Sequence, residues 1–203
     1  MKNPFLLAGL TALSLGIAGA QETAAKHEIA LTIGGLKEER RGPAPLELRG
    51  GIALQASYGY RLWAGNKAVL YGEAELSASP LREISASDPS VTRDVATLFI
   101  TPGIRVKFFP GRAITTYLAA GGGWADYEQS TTTLDGRQNP ASRTVNHGVL
   151  DYGGGVDVKV WRFITLRAEI RDFYGGGPSY NAPSIHGSQH NVVAGSGIVL
   201  GFH

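Results

Sequence analysis

Twelve titratable side chains stand out because they recur at alternate positions in otherwise apolar stretches: Glu28, Arg61, Glu73, Glu75, Arg105, Lys107, Asp151, Asp157, Lys159, Arg167, Glu169 and Arg171. Six are cations and six are acids, so on a common interior surface they can neutralise one another. A charge left alone in a confined interior costs about 3–5 kcal/mol, which makes mutual pairing the expected chemistry. A proton or ion relay would draw on the same residue types, but an ion-paired filling needs no further purpose. Two other patterns are weaker. His186-Gly187-Ser188 has the spacing of a base and a nucleophile, yet no Asp or Glu follows it to orient the histidine. Pro178 and Pro183 place that pair in a loop, where a catalytic geometry is harder to hold. His186 and His190 are four apart, a metal spacing suited to a helix, in a segment that is not helical and lacks carboxylates. Gly121 to Gly123 and Gly153 to Gly155 neither lie between a strand and a helix nor precede Lys-Ser/Thr, which excludes phosphate loops. No catalytic residue, cofactor or metal ligand is assigned.

The elements that must position the twelve charges are strands. Polar and apolar residues alternate with period two from about residue 26 to the end, and helical three-and-four spacing is sustained nowhere in that region. Eight strands are predicted, over 26–36, 50–63, 67–78, 95–109, 113–127, 147–161, 163–174 and 190–202. Tight links at Ala64-Gly65-Asn66, Pro110-Gly111-Arg112 and around Arg162 alternate with long ones over 37–49, 79–94, 128–146 and 175–189. The long links hold most of the Pro, Ser, Asn and Asp, residues that suit turns and loops. Long and short links in alternation, with an even strand number, describe an all-β, eight-stranded antiparallel up-and-down transmembrane β-barrel.

Parity separates the faces. Ala96, Leu98, Ile100, Pro102, Ile104, Val106 and Phe108 oppose Thr97, Phe99, Thr101, Gly103, Arg105 and Lys107; Ile164, Leu166, Ala168 and Ile170 oppose Thr165, Arg167, Glu169 and Arg171. The strand containing Gly121 to Gly123 leaves its faces open. Eight strands enclose only enough room for side chains, so inward charges predict a plugged lumen and no large channel. Aromatics gather at the tight-turn end (Tyr60, Trp63, Phe108, Phe109, Trp161, Phe163, Phe202) and toward the long-loop end (Trp124, Tyr127, Tyr152, Phe173, Tyr174). Two such girdles are expected at the two membrane interfaces.

Residues 1–20 read as a cleaved signal peptide and 21–203 as one barrel domain. Lys2 precedes an apolar run from Phe5 to Ala18, Ala18-Gly19-Ala20 offers a small-x-small cleavage site, and Gln21 becomes the mature terminus. That run, about fourteen residues, falls short of the roughly twenty a membrane-spanning helix needs. The chain has no cysteine, which excludes a disulfide scaffold and a Cys-based metal site. A net charge of +2 without a basic patch gives no reason to expect a nucleic-acid partner. The 28 Gly, 8 Tyr, 7 Phe and 3 Trp suit strands and turns.

The last strand carries the most specific signal. Gly197, Leu200 and Phe202 match the Gly-x-x-apolar-x-aromatic ending of bacterial outer-membrane barrels. Together with the segments 151–160 and 166–171, this makes the whole mature chain resemble the small OmpA-like and OmpX-like barrels. His203 beyond the aromatic, and Gly195 where that pattern prefers a polar residue, depart from it. The resemblance implies an outer-membrane location in a Gram-negative-type bacterium, contact with outer-membrane lipid, and recognition of the terminal strand by the barrel-insertion machinery. It also implies a monomer with a structural or surface-display role through four external loops. Their ligand is not legible. Two other readings stay open: a barrel enzyme similar to lipid A deacylases, and a soluble lipocalin-like periplasmic barrel with its apolar face inward.

Overall fold

The computed structural model describes residues 24–38, 46–182 and 187–203. The expected signal sequence with Ala18, Ala20 and Gln21, and His186 of the His-Gly-Ser pattern, lie outside the described residues. Eight long strands run β1 (His27–Glu38), β3 (Gly51–Ala64), β4 (Ala68–Ser85), β5 (Asp94–Phe108), β6 (Ile114–Gln129), β7 (Thr144–Lys159), β8 (Ile164–Gly176) and β9 (Ser188–Phe202). A two-residue β2 (Glu47–Leu48) pairs with the far end of β4. Each long strand pairs antiparallel with its sequence neighbours, and β1 with β9 closes the ring, from His27 opposite Phe202 to Glu38 opposite Asn191. The result is a closed eight-stranded antiparallel barrel, which leaves no sheet edge open.

The closure seam needs a glycine. A Cβ on Gly197 would sit 1.9 Å from the carbonyl oxygen of Leu31 and 2.6 Å from Cα of Thr32, its pairing partner, so no other residue fits there without moving the backbone. One tight turn is strained as well. Phe109, between β5 and β6, has φ of 53°, a region bulky side chains avoid. Its ring lies under the Arg112 guanidinium, 4.8 Å from centroid to Cζ.

Most strands run further toward the long loops than their sequences suggest. β4 continues to Ser85, past Pro80, and the ladder with β5 slips between Ser79 and Arg82. That irregularity is where a proline, which cannot donate a ladder hydrogen bond, is tolerated in a strand. β6 and β7 likewise extend to Gln129 and back to Thr144. The apolar layer at the top of the lumen, with Phe99, Tyr127, Phe173 and Val193, continues into the connections, where Leu46, Ile84, Val91, Tyr180 and Ala182 are buried and Leu134 packs against them.

Period-two alternation becomes inside and outside. Leu31, Ile33, Ile52, Leu54, Leu118, Leu150, Leu166, Ile170 and Ile198 are exposed on the outer surface. Glu28, Gln55, Glu73, Glu75, Thr97, Thr101, Asp151 and Arg171 are buried within. A soluble lipocalin-like barrel needs the opposite arrangement, so that alternative is set aside: an apolar outer band is matched to hydrocarbon, not to water. The strand left ambiguous by its glycines resolves with Tyr117, Ala119, Ala125 and Tyr127 inward and Leu118 and Trp124 outward.

Aromatics at the tight-turn end are exposed, as on Trp63, Phe109, Trp161, Phe163 and Phe202. At the long-loop end Trp124, Tyr152 and Tyr174 are exposed, but Tyr127 and Phe173 are fully buried in the lumen. Those two leave the expected outer girdle because they share parity with inward neighbours: Phe173 follows Arg171 by two residues, and Tyr127 follows Ala125 by two.

Candidate functional site in the barrel lumen

Ten of the twelve charges singled out by spacing converge inside the barrel. Nearest the tight turns, Lys107 Nζ lies 2.8 Å from Glu28 Oε1 and 2.7 Å from Asp157 Oδ2. Arg167 from β8 meets Asp157 from β7 through Nε at 2.8 Å and Nη2 at 3.0 Å. Arg105 bridges Glu28 at 2.9 Å and Glu73 at 2.5 Å. Deeper in the lumen, Arg171 contacts Glu73, lies 2.8 Å from Asp151 Oδ2, 3.4 Å from Glu169 Oε2 and 3.6 Å from Glu75 Oε2. The cluster follows from pairing as well as parity: Asp157 and Arg167 are direct cross-strand partners, whereas Glu28 and Lys107 approach from strands on different sides of the ring.

Neutral groups complete the network. Tyr117 donates its hydroxyl to Glu169 Oε2 at 2.7 Å, Thr32 donates to Glu169 Oε1 at 3.0 Å, Thr101 to Asp151 at 3.0 Å, and Gln55 to Glu75 at 3.2 Å. Tyr117 also lies beneath two cations, with Arg167 Cζ 4.5 Å and Arg105 Cζ 5.5 Å from its ring centroid. Tyr71 takes Arg105 at 5.0 Å on its own ring and donates its hydroxyl to the Ala25 carbonyl at 2.9 Å. Charge-assisted bonds and cation–π contacts of this kind are strengthened by burial of both partners.

Arg61 and Lys159 stand apart from the cluster, which corrects their expected place among the inward pairs. Arg61, beside a slip in the β3–β4 register, is half-buried and donates to the Ala24 carbonyl at the tight-turn rim. Lys159 closes β7 and is exposed. The last residue before a tight turn clears the barrel wall, so parity no longer assigns it to the lumen. The cluster therefore holds six acids, Glu28, Glu73, Glu75, Asp151, Asp157 and Glu169, against four cations, instead of the balanced six and six. A cavity of about 100 Å³ opens beneath it, reached by Glu28, Lys107 and Asp157 from the cluster and by Arg112 and Arg162 from the turns.

Toward the loops the lumen turns apolar and aromatic. Phe99 and Phe173 stack with centroids 4.5 Å apart, and Tyr127 meets Phe99 edge-on at 6.1 Å. Gln189 and Asn191 donate to the Tyr127 hydroxyl at 3.2 and 3.4 Å. Beyond them Arg82, fully buried, lies 2.9 Å from Glu38 Oε2 and donates to Thr97 at 2.6 Å. Tyr180, reaching in from the last long connection with φ of 53°, donates to Glu38 at 3.3 Å. This second ion pair escaped the sequence reading. Glu38 lies two residues past the expected end of its strand, though it keeps the parity of Leu36, and Arg82 follows Pro80 in what reads as loop. Continuing β1 by one alternation would have found Glu38.

No group of acids, histidines or cysteines capable of holding a metal occurs among the described residues. No family model matches the chain, and no curated protein does. Among solved structures, the chain is similar to Neisserial surface protein A at 17% identity, covering 89% of this chain and 100% of that one with a TM-score of 0.56. It is also similar to the outer membrane protein OprG from Pseudomonas aeruginosa at 12% identity, covering 91% and 100% with a TM-score of 0.57. The fold is thus that of the small outer-membrane β-barrels, of the kind the OmpA-like and OmpX-like resemblance implies.

Proposed function

We propose that the protein is a monomeric, non-conducting outer-membrane barrel that is exported through residues 1–20 and serves a structural or surface-display role. The observation that carries the closed lumen is the stack of layers across it: the ten-residue ion cluster, the Phe99–Phe173 pair, and the Arg82–Glu38 pair under Tyr180. The interior of an eight-stranded barrel is just wide enough for side chains to fill. The apolar outer band and the exposed aromatics at both ends support residence in a bilayer. The strands reach the long connections at the end of the barrel opposite His27 and Phe202, which suits contact with the outside once the terminal strand has been inserted with its tight turns in the periplasm.

The experiment combines two readouts on one preparation. Unboiled protein from the outer-membrane fraction is expected to migrate differently from boiled protein on a detergent gel, and in planar bilayers it is expected to give no stepwise conductance. Defined conductance steps would overturn the closed lumen, and a soluble periplasmic band would overturn the barrel's location. The lipid-enzyme reading gains no support from the lumen, since the cluster there is buried away from any lipid. Unchanged acylation of lipid A on expression would retire it.

A further inference from the structure

A polar cluster on the outside of the barrel has no part in the lumen. Tyr152 on β7 and Asp172 on β8 are direct cross-strand partners, and the tyrosine hydroxyl donates to Asp172 Oδ2 at 2.6 Å. His190 on β9 places Nδ1 2.6 Å from the same oxygen, and its ring tilts over Tyr174 with centroids 4.6 Å apart. These residues share the outward parity of Leu150, Ile170 and Ile198, and Asp172 and His190 lie toward the long-loop ends of β8 and β9. Ionisable groups on a lipid-facing surface are costly and mark function more often than packing.

Two features give the cluster a direction. First, Tyr152 is also the end wall of an apolar groove of about 810 Å³ on the outer surface, floored by Gly153, Gly154 and Gly155 and walled by Leu118 and Ile170. The groove runs from the cluster toward the tight-turn end, the direction in which an acyl chain descends from an outer-leaflet headgroup. Second, with Nδ1 engaged by Asp172, the ring nitrogen left to an outside partner is Nε2, which donates in the imidazolium form. Lys37, exposed and paired with Val192 next to Asp172 in the same row, adds a cation on that side.

We propose that this outer face, from the groove across β5 to β8 round to β9 and β1, is a binding site for a single acylated lipid bearing a phosphate monoester: the phosphate is held by His190 and Lys37, and one chain lies in the groove over Gly153–Gly155. Asp172 and Tyr152 act as positioning residues that fix the imidazole. The site rests on the outer-membrane reading above, because it faces lipid only if the barrel is inserted.

A tryptophan in the groove wall beside Asp172 reports on it. In a Trp63→Phe, Trp124→Phe, Trp161→Phe background carrying Ile170→Trp, the full barrel is reconstituted in phosphatidylcholine vesicles, with brominated phosphatidic acid or brominated phosphatidylcholine as the quenching lipid. The expected result is a preference for phosphatidic acid of about tenfold, the size of one charge-assisted hydrogen bond. His190→Gln is expected to remove most of that preference, and Ala120→Phe, which fills the groove beside Tyr152, to weaken quenching by phosphatidic acid specifically. Equal quenching by the two lipids in the parent, or a preference unchanged in His190→Gln, would overturn the proposal. Loss of the preference on adding inorganic phosphate would assign the site to a free anion and overturn its lipid character. Heat-modifiability of every variant is read in parallel. A folded barrel without selectivity fails this site alone, whereas a chain that never inserts fails the outer-membrane reading itself.

Discussion

Arg167 and Asp157 face each other across β7 and β8 and share two hydrogen bonds, at 2.8 and 3.0 Å, with both side chains at most 1% exposed. Both side chains are locked by further partners, Lys107 on the acid and the Tyr117 ring under the guanidinium. Removing either member leaves the other charge buried. Asp157→Asn or Arg167→Met is therefore expected to lower the unfolding free energy by about 3–5 kcal/mol. Urea titration in vesicles, followed by tryptophan fluorescence, measures it. Arg143→Gln, which breaks the exposed Arg143–Glu128 pair at 2.5 Å, is the control and should cost under about 1 kcal/mol.

The second buried pair gives a separate test. Arg82→Leu removes the buried cation beside Glu38 and also the bond to Thr97. The expected outcome is a comparable loss of stability together with faster proteolysis of the connection carrying Tyr180. The tight-turn half should keep its protection in hydrogen exchange.

Phe99 and Phe173 fill the apolar layer above the ions, both fully buried. Phe173→Ala leaves a cavity and is expected to destabilise the barrel by about 3–5 kcal/mol. The ion cluster is predicted to keep the lumen closed, so single-channel recordings of this variant should still show no conductance.

Asp135 offers a pH test outside the bilayer. Hydrogen bonds from the Arg137 side chain, followed by that from Thr133, hold its carboxyl below the usual carboxylate range. A depressed folded value stabilises the folded loop above the ordinary carboxylate pKa, and that contribution is lost only as pH falls through the lower folded value. The loop over 130–143 is thus expected to keep its Thr133–Arg137 contacts through mild acid. Arg137→Ala should move the Asp135 titration up toward normal, which carboxyl NMR would record.

At the seam, Gly197→Val must displace the Leu31 carbonyl and is expected to abolish the heat-modifiable form, while Ser196→Ala, facing outward, should leave it intact. Phe202→Ala makes a different prediction. If the terminal aromatic acts as an assembly signal, the variant refolds normally in detergent but reaches the outer membrane in reduced amount, as quantified by fractionation.

By itself, the sequence determined the strand number, the up-and-down order and, outside the Gly121–Gly123 strand, which residues share a face, because period-two alternation and alternating link lengths are legible along the chain. It therefore placed Arg105 with Lys107, and Arg167 with Glu169 and Arg171, on common polar faces; which face turns inward was decided by the closed structure. Only the tertiary structure decided which charges meet. Glu28 and Lys107 are brought together by the closure and stagger of the ring, a long-range constraint invisible in either strand alone. Tyr127 and Phe173 follow the inward parity of Ala125 and Arg171, whereas the irregular β4–β5 pairing past Pro80, which delivers Arg82, is a feature of the assembled sheet. Strand pairing also assembled Tyr152, Asp172 and His190 from three strands on the outer surface, where no spacing along the chain could have shown them as one site.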